Sequence, residues 1–109
     1  MSLYNSFRAT ITCPHCQDVA EREVQFRYGH VWQHEYVLGS TIIWGPAAVG
    51  DPGLPRVVVD GWMVECDACG GDGRIALFLR DNVIWGLGPV AWAPGLPSNG
   101  WLADGGGSG

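Results

Sequence analysis

From Phe7 to Thr12 the chain reads FRATIT, with apolar Phe7, Ala9 and Ile11 separated by Arg8, Thr10 and Thr12. A two-residue period is what a strand shows when one of its faces lies against a core. It returns in EREVQFRY, where Val24, Phe26 and Tyr28 share one face and Glu23, Gln25 and Arg27 the other. Farther on, HEYVL and TIIW flank Gly39 and Ser40 and predict a hairpin, followed by a surface loop, GPAAVGDPGLP. RVVVD, a β-branched run, predicts a strand that ends at Gly61, and WMVE another that leads into Cys66. RIALFLR and VIW flank Asp81 and Asn82, two residues that tolerate left-handed backbone and suit a tight turn. No stretch sustains a helical period; DVAEREV, residues 18–24, is the best candidate for one helical turn.

The pattern predicts an all-β fold, a mostly antiparallel small sheet or barrel with little helix. A chain of 109 residues suits one domain with a modest core, so a covalent or metal staple would matter. The 17 Gly and 7 Pro favour short strands and tight turns, while 47% hydrophobic content excludes global disorder. After Gly86 the composition shifts to Gly and Pro with isolated Trp92 and Trp101, and the chain ends in GGGSG, a flexible linker-like sequence. The expected organisation is a β domain over residues 1–88 and a tail over 89–109, its tryptophans tucked back onto the domain.

All six basic residues are Arg, which removes lysine-based catalysis and phosphate-loop chemistry. The net charge of −5 repels nucleic-acid backbones and favours a basic protein partner. No apolar run reaches signal-peptide or membrane-span length, so the expected compartment is the reducing cytoplasm and no membrane association is expected. In that compartment, paired cysteines are metal ligands or catalytic thiols more often than disulfides.

All four cysteines fall into two CxxC pairs, Cys13 with Cys16 and Cys66 with Cys69. Two such turns supply the four thiolates of a tetrahedral zinc site, with backbone N–H groups donating to the sulfurs. Pro14 suits the first turn, and Gly70 suits a position after the second turn where positive φ is needed; Gln17 stands at the matching place in the first. In TCPHCQ and ECDACG, each preceded by a strand-like run, the chain resembles the zinc-ribbon group, including ribbons that head some bacterial antitoxins. The resemblance implies one structural zinc on Cys13, Cys16, Cys66 and Cys69, shared between hairpin tips. The 49 residues between Cys16 and Cys66 exceed a minimal ribbon and require an additional β module. No helix-turn-helix follows, so DNA-binding autoregulation is not carried over.

Three other arrangements compete. CPHC also fits a thioredoxin-like thiol-disulfide redox site, which needs a helix after it and leaves CDAC without a use. Cys13, Cys16, His30 and His34 meet the spacing of a two-Cys, two-His finger, with Gly29 inside its helix. CDACGGDG matches one cysteine-rich repeat of J-domain co-chaperones, of which the chain has a single copy. A four-thiolate zinc has no open position for substrate, and no hydrolase, deaminase or nucleotide-loop pattern is present; a non-enzyme is expected.

His30, Trp32 and His34 share a face if that segment is a strand, and with Trp62 they form the candidate partner surface. Trp44 and Trp85, with apolar neighbours, are expected in the core. The functional expectation is an acidic, zinc-stabilised protein-interaction module, an inhibitor, immunity or accessory protein for a basic partner. A nucleic-acid-binding ribbon working through Arg8, Arg22 and Arg27, and a CxxC redox protein, are the alternatives.

Overall fold

The computed structural model describes residues 4–13, 15–63, 66, 69–71, 73–97 and 100–103. Seven strands form one sheet: β1 (Asn5–Thr12), β2 (Val19–Phe26), β3 (Glu35–Tyr36), β4 (Arg56–Met63), β5 (Gly73–Arg80), β6 (Val83–Pro89) and β7 (Trp101–Ala103). The order is β3-β1-β2-β4-β5-β6, with β7 added beside β4, and the sheet curls into a half-barrel. Among the described residues the only helical element is a 3-10 turn at Val90–Trp92. The all-β reading holds, and DVAEREV lies mostly in β2 because the alternation of Arg22, Val24 and Phe26 into the interior outweighs helix propensity.

Two hairpins carry the design. β1 and β2 pair antiparallel from Asn5 opposite Phe26 to Thr12 opposite Val19, so residues 13–18 form their tip. β4 and β5 pair from Arg56 opposite Arg80 to Met63 opposite Gly73, so Cys66 and Cys69 lie in theirs. The hairpins join where Val24, Gln25 and Phe26 pair with Met63, Trp62 and Gly61, which sets both tips at the same end of the sheet. The strand beginning at RVVVD therefore does not stop at Gly61. It continues to Met63, because a Cβ at Gly61 would overlap Val24 Cγ1, and glycine lets β2 and β4 approach. The rest of the WMVE reading, Val64 and Glu65, lies outside the described residues, as do Pro14 and the GGGSG terminus.

The core fills the concave face with Phe7, Ile11, Val24, Phe26, Val57, Val59, Met63, Ile75, Leu77, Leu79 and Ile84, closed by Tyr28, Tyr36 and Ile42. A second cluster lies on the outer face, where Val58 and Ala76 are covered by Ala93 and Leu96 with Phe78, Val90 and Leu102 alongside. Both faces of β4 are thus covered in its middle, which accounts for three consecutive valines. The Gly/Pro-rich segment after residue 88 provides that cover. β7 pairs with Val57–Val59 on the edge of β4 that β2 occupies farther along, and Asp60 N–H donates to Gly100 O between them.

The expected HEYVL–TIIW hairpin does not form. Ser40 closes a turn onto Val37, but Glu35 and Tyr36 pair in parallel with Ser6 and Phe7, and Thr41 bridges to Val83 instead. The two arms of the turn therefore reach opposite edges of the curled sheet and close the gap between β1 and β6. Asp81 and Asn82 do make the expected turn, with φ of 50° and 66°.

Candidate metal centre

The two CxxC turns are built alike. Cys13 N–H donates to Asp18 O and Gln17 N–H to Cys13 O; Cys66 N–H donates to Gly71 O and Gly70 N–H to Cys66 O. Gln17 and Gly70 hold the matching positive φ values, 67° and 73°. Glycine takes that conformation freely, whereas Gln17 is strained there, by roughly 1 kcal/mol or more. In each turn a backbone N–H points at sulfur, His15 to Cys13 Sγ and Gly71 to Cys69 Sγ, both at 3.4 Å.

These turns bring the four sulfurs within 4.8 Å of one another. Cys13 Sγ lies 3.7 Å from Cys69 Sγ, and Cys16 Sγ 3.8 Å from Cys66 Sγ. A tetrahedron with metal–sulfur bonds of ~2.3 Å has edges of about 3.8 Å, so the cluster has the dimensions of a metal site, and these distances are far beyond a disulfide bond. Four soft sulfur donors with no oxygen ligand match zinc and exclude a calcium- or magnesium-type site. Cys13 and Cys66 are buried, Cys16 and Cys69 exposed.

The crowded sulfurs do not share protons equally. The backbone N–H of Cys16 is the main cause that draws the Cys13 thiol down to about 6. Cys16 is drawn down by the backbone of Asp18, but burial and the neighbouring sulfurs prevail and push it up to about 12. A metal ion held by Cys13, Cys16, Cys66 and Cys69 would compensate all four thiolates at once.

One residue of the centre was not anticipated from the sequence. Arg22 is buried beneath the first turn, where its guanidinium donates to Ile11 O, Asp18 O and the Asp18 carboxylate at 2.9–3.1 Å. The sulfur of Cys66 on the other turn also acts on it electrostatically. Burial alone would lower its pKa, but Cys66 and Asp18 outweigh burial and raise it. Its phase was the available signal, because Arg22 falls on the same face as Val24 and Phe26. It is therefore unavailable as a nucleic-acid contact, and Arg8 is engaged with Glu21 and Glu23. His15 packs across the tips as well; a Cβ on Gly71 would come within 2.5 Å of its ring.

His30 and His34 lie at the other end of β1, eight residues or about 26 Å of strand from the cysteines, so the mixed Cys/His finger does not form. Nor are they on a strand. Buried Asn5 organises their loop: its Nδ2 donates to Tyr28 O and His30 O, and its Oδ1 accepts from the N–H groups of Trp32 and His34. The imidazoles meet at 3.1 Å between His30 Nδ1 and His34 Nε2, and exposed Trp32 stacks on His30. Trp62 is exposed on β4, opposite Gln25 and Arg74. Trp44 packs edge-on against Tyr28, as a core residue. Trp85 is exposed, because the irregularity between Phe78 and Leu79 in the β5–β6 pairing turns it outward.

No helix among the described residues is long and apolar enough to cross a membrane. A scan against protein-family models and searches of curated proteins and of solved structures return no match.

Proposed function

We propose that this chain is a non-enzymatic protein-interaction module whose two hairpins are held by one structural zinc. Closing four thiolates around the ion leaves no position for substrate, so the metal's task is mechanical. The observation that carries the interaction role is the loop after β2. Trp32 is 63% exposed there, and Val37, Leu38 and Ile43 are also exposed large apolar side chains within a dozen residues. Such a concentration is unusual on the surface of a small protein and marks a contact surface. Its backbone is fixed by Asn5, by His30 N–H to Ile43 O and by Ile43 N–H to the Tyr36 hydroxyl, so little order is lost on binding.

With a net charge of −5, the module favours a basic partner, in the manner of an inhibitor or accessory protein. The test is affinity capture of the zinc-loaded protein's partner from its native host, repeated with Trp32→Ala and Leu38→Ser. A basic protein retained by the parent and lost from both variants supports the reading. Capture unaffected by either substitution overturns this surface, and capture of acidic partners overturns the charge argument.

A further inference from the structure

Two arginines face each other on the outer side of the sheet, with no carboxylate paired to either among the described residues. Arg56 on β4 is the register partner of Arg80 on β5, and both are exposed. Like charges directly opposite across an antiparallel pair are destabilising. Arg8, Arg22 and Arg74 are matched with carboxylates, whereas no carboxylate lies within ion-pair distance of Arg56 or Arg80 among the described residues, neighbouring Asp81 included. Among the described residues, an acidic protein thus sets two of its six cations side by side without a carboxylate partner.

The arginines border a groove of about 230 Å³, lined also by Val57, Phe78, Leu79 and Trp85. Among the described residues, the tail packs on the outer face only as far as Phe78. Trp85 and Trp92 flank Phe78, with ring centroids 5.8 and 6.3 Å away and planes inclined by 33° and 27°. Both indoles are largely exposed, at 61% and 69%. Near-parallel rings with open faces are platforms for a planar ligand, and a guanidinium pair matches the oxygens of a phosphate.

We propose that this groove binds a phosphorylated nucleobase: Arg56 and Arg80 take the phosphate and Trp85, backed by Phe78, stacks the base. The inference is independent of the interaction loop, which lies elsewhere on the chain. The occupant is one nucleotide, either free or as one unit of a single strand. A peptide carboxylate would use the arginines but leave the stacked rings unexplained.

The full-length zinc-loaded protein is titrated with adenosine monophosphate, adenosine, inorganic phosphate, a short oligothymidylate and an acidic aromatic peptide, following the Trp85 indole N–H resonance. Saturable shifts with adenosine monophosphate are expected. Adenosine or phosphate alone should bind about tenfold more weakly or worse, since each forfeits one half of the recognition. Arg56→Ala with Arg80→Ala, and separately Trp85→Ala, should weaken binding by a similar factor. All three positions are exposed, so zinc content and the circular dichroism spectrum should match the parent. Tighter binding of the oligothymidylate assigns the base to a strand; equal or weaker binding assigns it to a free nucleotide. No saturation by about 10 mM, a fully weakened limit for a specific site, overturns the proposal. Phosphate binding as tightly as the nucleotide, or the peptide binding in its place, overturns it as well.

Discussion

The guanidinium of Arg22, carried by the first hairpin, is kept charged in its buried place by the sulfur of Cys66 in the tip of the second. It is thus a buried cation set against a centre that four thiolates make strongly negative. A cation beside ligand sulfurs favours their thiolate form and tempers its charge. Arg22→Gln should lower zinc affinity about 10- to 100-fold, read by competition with a chromophoric chelator. Arg22→Lys keeps the charge without the fork and should fall between. Parental affinity in Arg22→Gln would show that the guanidinium only packs.

Zinc removal should unfold the sheet rather than only loosen its tips. Structural zinc in small domains is worth apparent values of about 10–16 kcal/mol at neutral pH, as large as the whole ~5–15 kcal/mol that holds a typical domain folded. Chelation should therefore abolish the strand signal in circular dichroism while releasing one zinc and making all four thiols reactive. Cys66→Ser should behave as chelated protein does. A metal-free chain that keeps its spectrum and melting temperature would contradict this.

Asn5 should matter more than its chemistry advertises. Its single buried amide satisfies two carbonyls and two N–H groups of the histidine loop. Asn5→Ala strands those groups and should cost about 2–4 kcal/mol, measured by urea denaturation of the zinc-loaded protein. Hydrogen exchange at the Trp32 and His34 amides should accelerate first. Asn5→Asp keeps both acceptors and loses the donors, and its cost should exceed that of an exposed Asn→Asp change.

His30→Ala and His34→Ala should leave metal content untouched, because both rings lie at the far end of β1 from the sulfurs. Loss of zinc in either variant would relocate the site.

Alkaline pH should open the structure through its buried phenols. Burial raises the pKa of both Tyr28 and Tyr36, against the opposing effect of backbone bonds at Asp51 and Ile43. Above the ordinary tyrosine pKa near ~10, the folded state therefore holds more protons than the unfolded state. The stability tied to these phenols is full below that pH and drains away as pH rises beyond it. Phenolate absorbance at 295 nm should appear together with loss of dichroism. Tyr36→Phe, which also gives up the Ile43 bond, should remove part of the alkaline sensitivity.

The strands of the two hairpins were legible because one of their faces is wet, which writes an alternating pattern into FRATIT, EREVQF and RIALFLR. The Asp81–Asn82 turn and the positive φ at Gly70 were legible because few residue types tolerate such backbone. The metal cluster was legible because CxxC spacing is local geometry repeated twice. Pairings between distant segments were not. Glu35 and Tyr36 spend only two residues on β1, too few for a period, and their strand partner is chosen by Asn5 anchoring the loop before them. β7 is three residues in a Gly/Pro-rich run and exists because β4 leaves an edge free beside Val57–Val59. Arg22 was read as a surface charge since its carboxylate and sulfur partners come together only in the folded protein.

The two hairpins meet through β2 and β4 and are clasped at their tips, while residues 27–55 leave and return at the opposite end. The entropic cost of closing a loop rises by only about 0.6 kcal/mol for each doubling of its length. The exposed turns of that segment, such as residues 45–47, can therefore change in length, while Tyr28, Tyr36 and Ile42 belong to the core and must stay. The frame is in this sense a chassis: a new binding loop grafted at one of those exposed turns inherits a foundation already secured at the far end.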